Sequence, residues 1–178
     1  MQTPAANTIK TYLCPSDPTT DPTATWTNGW VVGSYADNNE VFGDPNWAGW
    51  TNEGNPPHAR MEANIPDGTS NTIGVAEKYA RCNGQGTLWG HGEWNPGWEP
   101  RFNTYNNRGL GTRFQVQPGP SPATTSSCNY NSPATAHTGG MNVMLMDASV
   151  RSVSPGITNN TWWFACTPAG GETLGNDW

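Results

Sequence analysis

The chain has 178 residues, a net charge of -6 and only 12% charged residues, and it holds no run of about 18 apolar residues that would read as a membrane-spanning helix. Its two lysines, Lys10 and Lys78, and six scattered arginines form no cationic stripe able to displace counterions, which argues against DNA or RNA as a partner. Ten tryptophans argue against a disordered chain, because disordered sequences are poor in aromatics; one domain with a genuine core is expected over 1–178.

In chain order, Met1 and the Gln-Thr-Pro-Ala-Ala-Asn after it have neither the basic nor the apolar part of a signal peptide. Any targeting segment is therefore expected outside this stretch. Residues 7–13 read as the end of a helix begun upstream. Strand-like runs follow at Val31–Ala36, Thr72–Tyr79, Arg113–Gln117, Met141–Asp147 and Val150–Ser154. Gly, Pro, Asn and Asp crowd the intervals 15–29, 37–57, 83–111 and 118–135. Loops of that length inside a compact domain carry function or are pinned covalently. In 141–154, Met141, Val143 and Leu145 face one side and Met144 and Met146 the other, which predicts a central hairpin strand turning at Asp147-Ala148-Ser149. Thr158-Asn159-Asn160 is placed to cap a short helical turn carrying Trp162, Trp163 and Phe164. The fold class expected is mainly β (α+β), an antiparallel sheet with long irregular connections.

Cys14, Cys82, Cys128 and Cys166 lie far apart with no C-x-x-C pair, the wrong spacing for a zinc knuckle or a thioredoxin motif. An even count in a lysine-poor chain of exported type favours two disulfides, each contributing about 2–4 kcal/mol, over four buried thiols.

Four stretches carry a resemblance. They are Ile9 to Pro18 (with Cys14-Pro15-Ser16-Asp17), Ile65 to Ile73 (with Asp67-Gly68-Thr69-Ser70-Asn71), His137 to Arg151, and Thr161-Trp162 with Thr167 to Glu172. His137 and Asp147 are separated by nine residues. In this the chain resembles the H-x9-DG (DUF1559) family of prepilin-like proteins of planctomycetes. The resemblance implies a type IV pilin or type II secretion pseudopilin head, β-rich, exported to the cell surface, and lacking here the apolar N-terminal helix that would join it to other subunits. As isolated, such a head is expected to be a monomer. The resemblance also implies the pairing Cys14–Cys128 and Cys82–Cys166 among the three connectivities that four cysteines allow. Where the family has Asp-Gly, this chain has Asp147-Ala148. Asp-Gly suits a type I′ turn; alanine there costs about 1 kcal/mol or moves the turn toward Ser149.

The signature residues His137 and Asp147 flank one strand, and direct contact between them is not expected. Asp147 is expected to bond its own turn amides and His137 to anchor the loop before the strand; a metal or acid–base pair is the alternative. The oxygen-rich Asp67-Gly68-Thr69-Ser70-Asn71-Thr72 run invites calcium, yet offers one carboxylate where such sites gather several. Turn bonding accounts for it without a metal, so no cofactor is expected. His58, His91 and His137 sit in no H-E-x-x-H, and neither G-x-S-x-G nor a P-loop is present. Glu93 and Glu99, amid tryptophans, are the types a glycosidase needs if they stand about 5–9 Å apart. The loop pairs Trp26/Trp30, Trp47/Trp50 and Trp94/Trp98 offer flat rings for extracellular polysaccharide, or else pin their loops to the core. The expectation is thus a structural subunit, with a carbohydrate-binding module as the alternative and a glycan hydrolase third.

Overall fold

The computed structural model describes residues 7–43, 63–91, 97–104, 107–119 and 127–178. In chain order these form β1 (Tyr35–Asn38), α1 (Asn39–Phe42), β2 (Ile73–Glu77), β3 (Arg81–Cys82), β4 (Gln85–Gly86), β5 (Arg101–Phe102), β6 (Gln115–Val116), β7 (Ala134–Thr135), β8 (Met141–Leu145), β9 (Val150–Val153) and α2 (Asn159–Cys166). The main sheet runs β5-β1-β2-β8-β9, antiparallel except where β1 meets β5. The fold is therefore mainly β with a little helix. Residues 7–13 hold a short 3-10 turn at Lys10–Tyr12 rather than the end of a longer helix. None of the described helices is long and apolar enough to cross a membrane.

Side-chain alternation decides which face of the sheet is covered. Met141, Val143 and Leu145 of β8 turn inward with Ile73, Ala36, Phe102 and Val153. On this layer lies α2, whose N-cap Thr158 accepts from the Thr161 amide through its hydroxyl. Trp162 is fully buried and meets Phe114 edge-on at 5.0 Å between ring centroids. Truncating it would remove about 3–5 kcal/mol. The predicted cap and aromatic turn at 158–164 are present as α2. β8 lies inside the sheet, but Met144 on its other side is exposed, so this strand is apolar on two faces without being covered on both. Met146 follows the strand and packs instead with Val41 and Ile65.

A bulge in β2 sets the register. Ile73 stands opposite Leu145 and Val75 opposite Met144, so Gly74 is the extra residue. A Cβ on Gly74 would lie 2.7 Å from the Met146 sulfur, so a larger residue there would have to displace the Met146 side chain. The bulge lets Ile73 and Ala76 both enter the core, and so turns Val75 and Glu77 to the outer face.

The hairpin turn, left open between a strained type I′ and one running toward Ser149, closes at Ser149. The Ala148 amide donates to the Leu145 carbonyl, the Leu145 amide to the Ser149 carbonyl, and Ala148 takes φ +66°. This is a three-residue loop in which Ala148 fills the left-handed position that normally takes glycine.

The disulfide pairing implied by the resemblance is also corrected. Cys82 bridges Cys128, while Cys14 and Cys166 are free and buried. Cys166, the last residue of α2, sits in the main core and Cys14 lies on the outer side of the sheet, and the partner expected for each is taken up by the Cys82–Cys128 bridge. The bridge pins the segment carrying β3 to the loop before β7, among Tyr79 and Ala134.

Candidate outer-face groove

Tyr35 and Glu77 are register partners across β1 and β2, so their side chains emerge side by side on the outer face. Met144 and Val150 pair in the same way across β8 and β9. Cys14 enters from the N-terminal segment and His137 from the loop before β8. Together with Val75 and Asn142 these residues line a groove of about 380 Å³.

At its polar end, His137 Nε2 stands 3.1 Å from Glu77 Oε1 and 4.0 Å from Cys14 Sγ. Cys14 is 8% exposed and the Glu77 side chain 5%, while the His137 side chain remains 36% exposed to the groove. Glu77 is held on every side. Its Oε2 accepts from the Thr135 hydroxyl at 2.6 Å and the Asn142 amide at 3.3 Å, and its Oε1 from Asn142 Nδ2 at 3.1 Å. The Thr135 hydroxyl also accepts from the His137 amide. Burial first, then the nearby Cys14 and Glu77 charges, push the Tyr35 phenol up to about 12. Among the described residues this is the one place where three side chains able to ligate a metal converge. It is not arranged as a nucleophilic triad, which presents thiol and carboxylate to opposite nitrogens of the imidazole. Here both face Nε2.

The aspartates of the signature stretches do other work. Asp17 is buried and accepts from the Thr19 amide and hydroxyl, the Ser34 hydroxyl and the Ala80 amide. Asp67 takes the Gly170 amide at 2.8 Å and the Gly171 amide at 3.1 Å. Asp147 binds the amide and hydroxyl of Ser149, as expected of a turn aspartate. Further backbone bonds join Asp147 to Thr69, Met146 to Thr72 and Asp67 to Pro168, so the segments around 67–72, 146–149 and 168–171 are knitted together. A family model described as "Protein of unknown function (DUF1559)" matches residues 1–159.

The chain belongs to the DUF1559 family.

No curated protein and no solved structure matches it. Within this DUF1559 chain the match takes in the whole groove, the Asp17 and Asp147 clasps and Asp67 itself, while the Gly170 and Gly171 amides that Asp67 holds lie beyond it. The two signature residues are not brought together: His137 joins Glu77, and Asp147 stays in its exposed turn. The His137 ring meets Glu77 and its amide donates to the Thr135 hydroxyl.

Of the tryptophans, Trp26, Trp30 and Trp98 are half-buried against Ala24, Val32, Ala80 and Leu88. Trp26 meets Trp98 edge-on at 5.3 Å and Trp30 tilts over His91 at 5.4 Å. These rings pin loops of the DUF1559 fold to a second small core. Trp47, Trp50, Trp94, His58 and Glu93 lie outside the described residues. Glu99 is 1% exposed, beside Lys78, whose ammonium donates to the Glu99 and Arg101 carbonyls. Asn71 donates to the Asp67 carbonyl and Thr72 to that of Gly68, which is the turn bonding expected of 67–72. Sequence reasoning missed Cys14 and Glu77 as partners of His137. Cys14 was visible as a cysteine of the first signature stretch, but nothing in its spacing points to residues 63 and 123 positions away.

Proposed function

We propose that this DUF1559 chain is the head of an extracytoplasmic structural subunit, pilin- or pseudopilin-like, displayed on a filament or secretion apparatus and assembled through an apolar N-terminal helix. The observation that carries the reading is the use made of the signature aspartates: Asp17, Asp67 and Asp147 each spend their carboxylates on amides and hydroxyls of their own fold. Residues so committed serve a scaffold rather than a reaction. The Cys82–Cys128 bridge supports an oxidising, exported setting. The test is the full-length gene product in its own cell. A prepilin leader and apolar helix ahead of residue 1, with antibody labelling of the head on surface filaments or the secretion apparatus, is the expected result. A full-length product without that helix, confined to the cytoplasm, overturns it. In light scattering the isolated head is expected to be a monomer.

An adhesive role for the same head is a second reading. It is supported by Trp26, Trp30 and Trp98, which leave ring surface exposed in one loop cluster. Binding on a polysaccharide array that falls at least about tenfold in Trp30→Ala is expected; a blank array removes this reading.

A further inference from the structure

The polar end of the groove holds one thiol, one carboxylate and one imidazole aimed at a common point, and we propose that Cys14, Glu77 and His137 are three protein ligands of a divalent cation of the zinc class, its fourth position opening into the groove. The donor set selects the metal. Calcium and magnesium take oxygen ligands, and a thiol is no use to them. Sulfur, imidazole nitrogen and carboxylate oxygen together are what zinc accepts, and three protein ligands with a free position are the arrangement of zinc sites that bind a further small ligand.

Geometry agrees. With metal–sulfur bonds of about 2.3 Å and metal–nitrogen and metal–oxygen bonds of about 2.0–2.1 Å, tetrahedral ligand atoms lie roughly 3.3–3.6 Å from one another. Here Nε2 is 3.1 Å from Oε1 and 4.0 Å from Sγ, and all three atoms lie within 4.8 Å of one another. Side-chain shifts of under about 1 Å close the site around an ion of that size. Both partners face the same ring nitrogen, as ligation requires and as a proton relay does not.

Charge agrees as well. Ligation by Cys14 as thiolate would add a second negative charge beside the buried Glu77 carboxylate, a sum that calls for a divalent rather than a monovalent ion. A divalent cation with neutral His137 brings the sum to zero. Binding deprotonates the Cys14 thiol, and that proton leaves to solvent. The groups around the ligands are already in place: Thr135 and Asn142 fix the carboxylate, and Tyr35 lines the groove together with Cys14. The exposed edge of His137 gives an entry path, and Val75, Met144 and Val150 give the open position an apolar wall.

The rival is a plain His137–Glu77 ion pair with Cys14 as a bystander, and a cobalt titration separates the two. The chain, with its Cys82–Cys128 bridge intact and stripped of metal by chelator, is titrated with Co²⁺ under argon and then with Zn²⁺. One equivalent is expected to bind, with a thiolate-to-cobalt charge-transfer band, intense tetrahedral d–d bands, and displacement by Zn²⁺. Cys14→Ser is expected to lose the charge-transfer band, and His137→Asn to weaken Zn²⁺ at least about tenfold. Cys166→Ser keeps the band. A wild-type spectrum without a thiolate band, a band that survives Cys14→Ser, or unchanged affinity in His137→Asn overturns the proposal. Should Cys14→Ser fail to fold, His137→Asn decides, because its side chain is the exposed one of the three.

Discussion

At Ala148 the backbone sits at φ +66°, where an L-residue with a Cβ is disfavoured by about 1 kcal/mol or somewhat more. Ala148→Gly should therefore raise the unfolding free energy by about 1 kcal/mol, read as a higher urea midpoint at constant slope; a lower midpoint would mean the turn is of another kind. Asp17 makes a contrasting case. Its carboxylate alone satisfies the buried Ala80 amide and Ser34 hydroxyl while also holding Thr19. Asp17→Ala strands these groups, and at about 1–3 kcal/mol for each unsatisfied buried group the loss should exceed about 3 kcal/mol. Chemical denaturation measures it, and a cost below about 1 kcal/mol would show that water takes the place of the carboxylate.

Elements differ in how far their own residues specify them. The β8–β9 hairpin and α2 were legible because local signals act there: alternation in Met141 to Leu145, turn residues at 147–149, a capping Thr158. The strand expected at Val31–Ala36 starts instead at Tyr35, with Val31 and Val32 held only in isolated bridges to Thr25 and Leu88. That at Arg113–Gln117 shortens to Gln115–Val116 beside Ala134–Thr135. Such short pairings depend on a partner far along the chain, so no periodicity announces them. The parallel β1–β5 contact has a titration of its own. Burial pushes Asp37 up from 3.8 to about 6 even though Arg101, 3.3 Å away, pulls it down. Between those values the folded chain keeps a proton that the unfolded chain has released. Stability should accordingly fall as pH rises through about 4 to 6 and level off above. Asp37→Asn should flatten that slope in urea melts taken across the window, and an unchanged slope would assign it elsewhere. Asp21, Asp147 and Asp177, whose carboxyls are lowered chiefly by threonine or serine hydroxyls, act with the opposite sign: what they stabilise is lost as pH falls below about 3.8.

Over the whole molecule the sheet separates two environments, a core under α2 that holds Cys166 and an outer groove that holds Cys14. The one bridge, Cys82–Cys128, closes 46 residues of sequence separation, for which chain entropy predicts about 4 kcal/mol. Cys82→Ser should lower stability by that order without changing the far-ultraviolet circular dichroism; an unchanged melting temperature would show the loop to be held by its packing alone.

The sequence by itself determined the strand-rich class, the hairpin, the capped aromatic helix and the clasping role of Asp147. Each follows from contacts between residues a few positions apart, where side-chain period, turn chemistry and capping act directly. Only the tertiary structure decided that Cys82 meets Cys128, that Asp67 reaches Gly170, and that Cys14, Glu77 and His137 share one groove. Those meetings depend on which strands pair and where β2 bulges, and long-range pairing of that kind leaves no mark in residue spacing.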